Sequence, residues 1–200
     1  MKVIVLRHNI KPLSRTRPNE PRPEVVMMTD SSLLKDGKPF FVPDFADRFM
    51  ARPYMVLRIG RLGKNIAKRF AWRYIDGVTL GFAVEAQGLH EQFAADGPGA
   101  VANAFDGAAI LGDFITPEKV LTDPFVVTVN GELYLQCIRG LLFILIENMI
   151  EYVSRYFTLK IGDLIYVCGV GPDIQLQQES TVTAAINDNE VIHFKVKWSY

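Results

Sequence analysis

Two pairs of residues in this chain have the types and spacing to do chemistry on one side of a β-sheet. Residues two apart in a strand point to the same side, so Arg52 and Tyr54 point together, as do Ala83 and Glu85. Arg52 carries a permanent charge on a planar group that can donate two hydrogen bonds to one carboxylate. This chemistry would suit the capture of a small carboxylate ligand.

The histidines and cysteines point to structural roles. His8 follows the first apolar segment, and neither His90 nor His193 has a second His, Cys or acidic residue at metal-ligand spacing. The two cysteines, Cys137 and Cys168, are too few for a disulfide framework and lack the paired spacing of a zinc site. Their use is typical of a reducing, cytoplasmic location.

Length and composition predict one domain over residues 1–200. The 200 residues can bury a single core, and 22 Lys and Arg balance 22 Asp and Glu. Because a basic excess is what nucleic acids and membrane surfaces attract, the balance predicts neither as a partner. The start of the chain, residues 1–9, reaches charged residues too early for a signal peptide and is predicted to form a strand. The apolar run at 141–146 is too short to span a bilayer.

Strands dominate the predicted elements. Asn130-Gly131 lies between two strand-like segments and favours a tight hairpin turn, because both residues tolerate positive φ. The charged Glu147, Glu151 and Arg155 recur every four residues opposite apolar ones, which predicts an amphipathic helix over 141–156. The predicted strands are 25–28, 54–59, 78–86, 125–129, 132–135, 164–167, 182–186 and 191–196.

Three further segments complete the predicted organisation. The residues 63–74 combine Lys and Arg with apolar positions and predict a short basic helix with one apolar face. The proline-rich stretch 11–23 is predicted to be a surface loop, and 89–95 a helical turn.

Six segments resemble, in order and spacing, the fumarylacetoacetate hydrolase superfamily, in particular its acylpyruvate hydrolase and 2-hydroxyhepta-2,4-diene-1,7-dioate isomerase-like members. They are SSLLKDGKPF from Ser31, RIGRLGKNIA from Arg58, YIDGVTLGF from Tyr74, AFDGAAILGDF from Ala104, TVNGELYLQ from Thr128 and FTLKIGD from Phe157. The resemblance implies an α+β, β-rich fold, the mixed β-sandwich roll of that family's carboxy-terminal domain, assembled as a homodimer through its sheets and long helix. It also implies Mg²⁺- or Mn²⁺-dependent hydrolysis, decarboxylation or isomerisation of 2-oxo acids.

The residues that hold the metal in that family are replaced here. The Glu-x-Glu pair that precedes Ile-Gly in the family corresponds to Arg52 and Tyr54, and the metal-binding Asp corresponds to Ala83. The family's Lys before Phe-Asp corresponds to Asn103, and the loop that begins at Cys168 is shorter than the family's Thr-Gly-Thr-Pro segment. Mg²⁺ prefers carboxylate oxygens, and a guanidinium repels it. The comparison predicts no metal, no catalytic residue and a member without metal-dependent catalysis.

Two interpretations of the altered pocket stay open. The candidate residues are Arg52, Tyr54, Ala83, Glu85, Asn103 and Cys168. In the first, Arg52 forms a salt bridge with Glu85 that links two strands in place of the metal, or binds a small carboxylate, and the protein has a binding, structural or regulatory role. In the second, the protein is an active hydrolase, isomerase or decarboxylase on an acylpyruvate-like 2-oxo acid, with a metal held by other ligands such as Glu85 and Asp106.

Overall fold

The computed structural model of the protein describes residues 1–7, 22–35, 37–89, 93, 97–117, 125–137, 142–167, 169 and 171–198. The described residues contain thirteen strands. The strands are β1 (Val3–Arg7), β2 (Glu24–Met28), β3 (Leu33–Leu34), β4 (Phe40–Val42), β5 (Arg48–Ile59), β6 (Ile75–Gln87), β7 (Ala109–Leu111), β8 (Phe125–Val129), β9 (Glu132–Cys137), β10 (Leu164–Val167), β11 (Ile174–Gln175), β12 (Thr181–Ile186) and β13 (Asn189–Trp198). The helices are α1 (Ala100–Asn103), α2 (Leu142–Tyr156) and the 3₁₀ helices Asp30–Ser32 and Lys68–Tyr74.

The strands form two mixed sheets. The larger sheet has the order β2-β1-β10-β5-β6-β7-β3, with β11 added to one end of β5, and the smaller has the order β4-β13-β12-β8-β9. The pairs β1/β10, β3/β7 and β4/β13 are parallel, and the other pairs are antiparallel. This strand-rich α+β architecture confirms the fold class predicted from the sequence.

Strand β5 divides the large sheet into two differently packed faces. Its odd-numbered side chains all lie on one face: Phe49 and Ala51 pack in the core shared with the smaller sheet, whereas Met55 and Leu57 pack in a core shared with α2. Its even-numbered side chains face the other way, where Tyr54 packs in a third cluster. A single twelve-residue strand therefore positions both cores and the face that carries Arg52.

The predicted Asn130-Gly131 hairpin and the long helix are confirmed, and a second hairpin joins β12 to β13. Asn130 and Gly131 have φ values of 54° and 81°, and Asn187 and Asp188 have 48° and 59°, so both turns use the positive φ that two-residue hairpin turns require. Helix α2 buries its apolar side, including Ile150, against the large sheet. No helix in the described residues has the length and apolar character needed to cross a membrane.

The basic helix predicted over 63–74 is shorter than expected, because only Lys68–Tyr74 is helical. The preceding residues use their backbone groups to bond other segments: Gly63 pairs with Leu159, and the Asn65 N–H donates to the Ser154 carbonyl at 2.9 Å. A chain whose donors are used across the structure cannot continue the helix. The loop 11–23 and the turn 89–95 lie mostly outside the described residues.

The start of the chain is fixed by Asp163, which precedes β10. Its carboxylate accepts hydrogen bonds from the backbone N–H groups of Lys2 and Lys160, both at 2.8 Å, and the Lys2 ammonium lies 2.5 Å away. Burial alone would raise the pKa of Asp163, but these donors outweigh it and lower the pKa below its ordinary value near 3.8. Asp163 therefore links β1 to β10 most strongly when it is ionised.

We predict that Asp163→Asn removes part of the stability in a pH-dependent way. Because the folded-state pKa of Asp163 lies below the unfolded value, its contribution is complete above about pH 4 and is lost as the pH falls further. The variant should unfold more easily than the parent by about 1–3 kcal/mol at pH 7. Urea denaturation of both proteins from pH 7 to pH 3 measures this, and a difference that widens at acid pH would contradict it.

Candidate functional site

The candidate site lies on the face of the large sheet opposite its two main cores. In the antiparallel pairing of β5 with β6, Arg52 is opposite Ala83, Tyr54 is opposite Gly81, and Met50 is opposite Glu85. Opposed residues of an antiparallel pair project from the same face. The four residues that the sequence placed at the altered metal site, Arg52, Tyr54, Ala83 and Glu85, therefore occupy one patch of the sheet.

Arg52 binds Asp173, and the predicted Arg52–Glu85 salt bridge is wrong. Its Nε donates to Asp173 Oδ1 at 2.5 Å and its Nη2 to Oδ2 at 2.8 Å, a bidentate pair. The cause lies in the register of the strands. Ile174 of β11 pairs with Ala51, so Asp173 lies directly beside Arg52. Glu85 lies opposite Met50, which is two residues from Arg52 along β5. These hydrogen bonds raise the pKa of Arg52 further above its ordinary value.

Glu85 is bound instead by an arginine from β1, three strands away in the same sheet. Arg7, the last residue of β1, donates from Nη2 to Glu85 Oε2 at 2.8 Å. Strands β10 and β5 separate β1 from β6, so the Arg7 side chain extends across them. Two ion pairs, Arg7–Glu85 and Arg52–Asp173, thus lie on the same face of the sheet.

Tyr54 forms the buried base of this patch. Its side chain is 1% exposed and packs edge to face against Tyr166, with the ring centroids 6.1 Å apart. Burial raises the pKa of Tyr54, and the positive charges of Arg52 and Arg7 offset this only in part. Tyr54 is therefore a neutral phenol at physiological pH.

Gly169 allows the segment that carries Asp173 to approach the sheet. A Cβ at this position would lie 3.0 Å from Tyr54 Cε1 and 3.1 Å from Arg52 Cδ. The β8–β9 hairpin supports the same segment, since the Tyr134 hydroxyl donates to the Asp173 carbonyl at 3.1 Å and a Cβ on Gly171 would meet Leu135. The hairpin and the glycine together place the Asp173 carboxylate against Arg52.

The sequence analysis missed Arg7, Asp173 and Gly169. Asp173 follows the proline of the shortened loop, and Arg7 ends the first strand, but nothing local in either segment names a partner. Gly169 belongs to the loop that begins at Cys168, which the sequence marked only as shorter than the family's. Each owes its place to contacts with residues far along the chain.

The remaining candidates are more dispersed. Asn103 ends α1, where its Nδ2 donates to the Gly99 carbonyl at 3.2 Å, and its buried Oδ1 has no hydrogen-bond partner in the part of the chain that the structure describes. Asp106 is exposed in the turn after α1. His193 lies on β13, 3.4 Å from Glu190. Cys168, His8 and His90 lie outside the described residues.

The donor set on this face does not fit a hard divalent cation. Arg52, Tyr54 and Ala83 present a guanidinium, a neutral phenol and a methyl group, whereas Mg²⁺ and Mn²⁺ prefer carboxylate oxygens. The carboxylates of Glu85 and Asp173 are each bound by an arginine. Among residues that the structure describes, no three His, Cys, Asp or Glu side chains group together in a way that could hold a metal. What the patch offers is a guanidinium, about one-third exposed, that already binds one carboxylate.

Comparisons with known proteins agree with this architecture. The family model described as fumarylacetoacetate (FAA) hydrolase C-terminal matches residues 6–197. The oxaloacetate tautomerase FAHD1, mitochondrial, of Mus musculus is 26% identical over 185 residues, which is 88% of this chain and 82% of that protein. The fumarylpyruvate hydrolase of Pseudomonas aeruginosa, solved in complex with Mn²⁺ and pyruvate, superposes with a TM-score of 0.84 at 18% identity over 100% of this chain and 90% of that one. The 5-carboxymethyl-2-hydroxymuconate delta-isomerase of Mycobacterium smegmatis also has a TM-score of 0.84, at 22% identity over 100% and 79%. These likenesses confirm the predicted β-sandwich roll.

We predict that Arg52 and Asp173 are energetically coupled. The double-mutant cycle of Arg52→Gln and Asp173→Asn should give a coupling energy of about 1–2 kcal/mol, because the pair is bidentate and partly shielded from water. The matched control is Arg58–Asp76, an Arg–Asp pair with a hydrogen bond of 2.7 Å from Nε to Oδ1 and more exposed side chains. Its coupling should stay below about 1 kcal/mol. Urea denaturation measures both cycles, and equal coupling in the two pairs would show that the Arg52 geometry has no special weight.

Proposed function

The chain belongs to the fumarylacetoacetate hydrolase family, and we propose that it is a member that binds a small carboxylate through Arg52 without a metal ion. One observation carries the proposal: the Arg52 guanidinium, at a position where the family pattern has a metal-binding carboxylate, holds a carboxylate in both arms of its fork. The chemistry of this position is thereby reversed, from an anion that binds a cation to a cation that binds an anion.

Charge and geometry support an anionic ligand. A unit positive charge on Arg52 repels a divalent cation at contact distances, and the carboxylate beside it, that of Asp173, is already bound by the guanidinium. The same charge attracts a carboxylate, and the planar fork gives it a defined orientation. Tyr54, held neutral by burial, adds a phenol that needs no counter-charge.

Asp173 acts in this proposal as an internal competitor. A ligand carboxylate accepts the same two hydrogen bonds from Arg52, so it must displace the Asp173 side chain to bind. Asp173 is 26% exposed and is followed by only the two-residue strand β11, so its side chain can rotate toward solvent without opening the core. The apparent affinity is then reduced by the fraction of molecules in which Asp173 occupies the fork.

The affinity for pyruvate tests the proposal, because pyruvate occurs in the complex of the Pseudomonas aeruginosa relative. We predict that calorimetric titration in buffer freed of metal ions by a chelating resin detects pyruvate binding. Asp173→Asn should tighten it by roughly tenfold, since the amide competes less well for the guanidinium. Arg52→Gln should abolish binding.

Arg58→Gln provides the matched control, because Arg58 lies on β5 as Arg52 does and also pairs with an aspartate, but it is near the other end of the strand. This variant should bind pyruvate as the parent does. Failure of the parent and of Asp173→Asn to bind pyruvate, oxaloacetate or succinate would reject carboxylate binding at Arg52. Binding that appears only after Mn²⁺ is added would favour the metal-dependent alternative instead.

The absence of catalysis, the homodimer and the cytoplasmic location expected from the sequence stay predictions. Each has a direct assay: oxaloacetate tautomerisation followed by ultraviolet absorbance, light scattering after size exclusion, and fractionation of the source cells.

A further inference from the structure

We propose that one end of the molecule docks on the anionic surface of a phospholipid bilayer. This end is formed by residues 60–64, before the 3₁₀ helix Lys68–Tyr74, and by residues 160–162, before β10. Its two apolar side chains, Leu62 and Ile161, are 61% and 71% exposed. Six cations lie in the same two turns and in the 3₁₀ helix joined to them, and together with these two residues they are called the basic tip. The six are Arg61, Lys64, Lys68, Arg69, Arg73 and Lys160.

Backbone hydrogen bonds hold the basic tip in shape. Gly63 and Leu159 exchange N–H to carbonyl bonds of 3.0 and 2.8 Å, and the Gly162 N–H donates to the Ile59 carbonyl at 2.7 Å. The Gly60 N–H donates to the Tyr74 carbonyl at 2.8 Å, which joins the turn to the end of the 3₁₀ helix. The two turns and the helix therefore form one surface that needs no ordering on contact.

The six cations are not neutralised by neighbouring acids. The nearby acids in these segments have other partners: Asp76 binds Arg58, Glu151 lies 3.4 Å from Arg155, and Asp163 binds Lys2. None of the six has a carboxylate within ion-pair distance among the described residues. The total charge of the chain is balanced, and no membrane partner was expected from that balance. The basic tip nevertheless has a local excess of six positive charges.

The combination of aliphatic and basic side chains selects a bilayer over other polyanions. Leu62 and Ile161 can enter the boundary between headgroups and acyl chains while the cations meet anionic lipid headgroups, and both contributions add. A nucleic acid would use exposed aromatic rings for base stacking. The two aromatic residues between the cations are engaged: Phe70 has the guanidinium groups of Arg69 and Arg73 over its ring at 4.7 and 4.8 Å from the centroid, and Trp72 packs partly buried against the core shared with α2.

Vesicle co-sedimentation of the full chain tests this proposal. Vesicles of phosphatidylcholine with 30% phosphatidylserine should bind the protein at least about tenfold more strongly than pure phosphatidylcholine at low salt, and 0.5 M NaCl should remove most of the difference. The double variant Leu62→Gln/Ile161→Gln should lose most of the binding that survives at intermediate salt. The variant Lys64→Glu/Arg69→Glu should lose binding at all salt concentrations.

Matched controls come from the opposite part of the fold. Leu133 is 64% exposed on the β8–β9 hairpin, and Lys195 and Lys197 are exposed on β13, so Leu133→Gln and Lys195→Glu/Lys197→Glu change the same chemistry elsewhere. These variants should bind vesicles as the parent does. Circular dichroism melting of all four variants separates lost binding from lost folding. Two results with vesicles would overturn the proposal: equal binding to both vesicle types, or an equal loss of vesicle binding in the control variants. Tight binding to a single-stranded oligonucleotide that Leu62→Gln/Ile161→Gln does not weaken would also overturn it.

Discussion

The bidentate ion pair between Arg52 and Asp173 is the interaction on which the account of this protein depends. A guanidinium on the face of a central strand, two-thirds shielded from water, requires a counter-charge, and the protein supplies one from a segment 121 residues further along the chain. The approach of that segment leaves little room at Gly169, where a Cβ would lie 3.0 Å from Tyr54 Cε1 and 3.1 Å from Arg52 Cδ.

A second pair extends the same principle across the sheet. Arg7 reaches from β1 to Glu85 on β6, so that this face carries two arginines, each bound to a carboxylate. One pair joins β5 to the segment before β11, and the other joins β1 to β6.

The features that the sequence predicted well are those set by neighbours in the chain. The Asn130-Gly131 turn depends on two adjacent residues, and α2 on a repeat of charges every four residues, so both could be inferred without the rest of the fold. The shared face of Arg52 and Tyr54 follows from strand geometry in the same way. The family frame supplied the neighbouring strand that carries Ala83.

The partner of Arg52 could not be inferred, because it depends on register between distant strands. Glu85 and Asp173 both lie near Arg52, and the choice between them is decided by which residue of β11 stands beside β5. A shift of one residue would reverse the side chain directions. The basic helix was overestimated for a similar reason, since Gly63 and Asn65 make their backbone hydrogen bonds to segments that no local pattern reveals.

Electron paramagnetic resonance of Mn²⁺ gives the most direct test of the reversed charge at this site. Titration of the purified protein with Mn²⁺ reports the free hexaaqua ion by its six-line signal. The account predicts that the signal grows as it does in buffer alone, and that the triple variant Arg52→Glu/Tyr54→Glu/Ala83→Asp, which replaces the three side chains by carboxylates, suppresses it with one ion bound per chain. Stoichiometric, saturable loss of the signal in the unaltered protein would contradict the account.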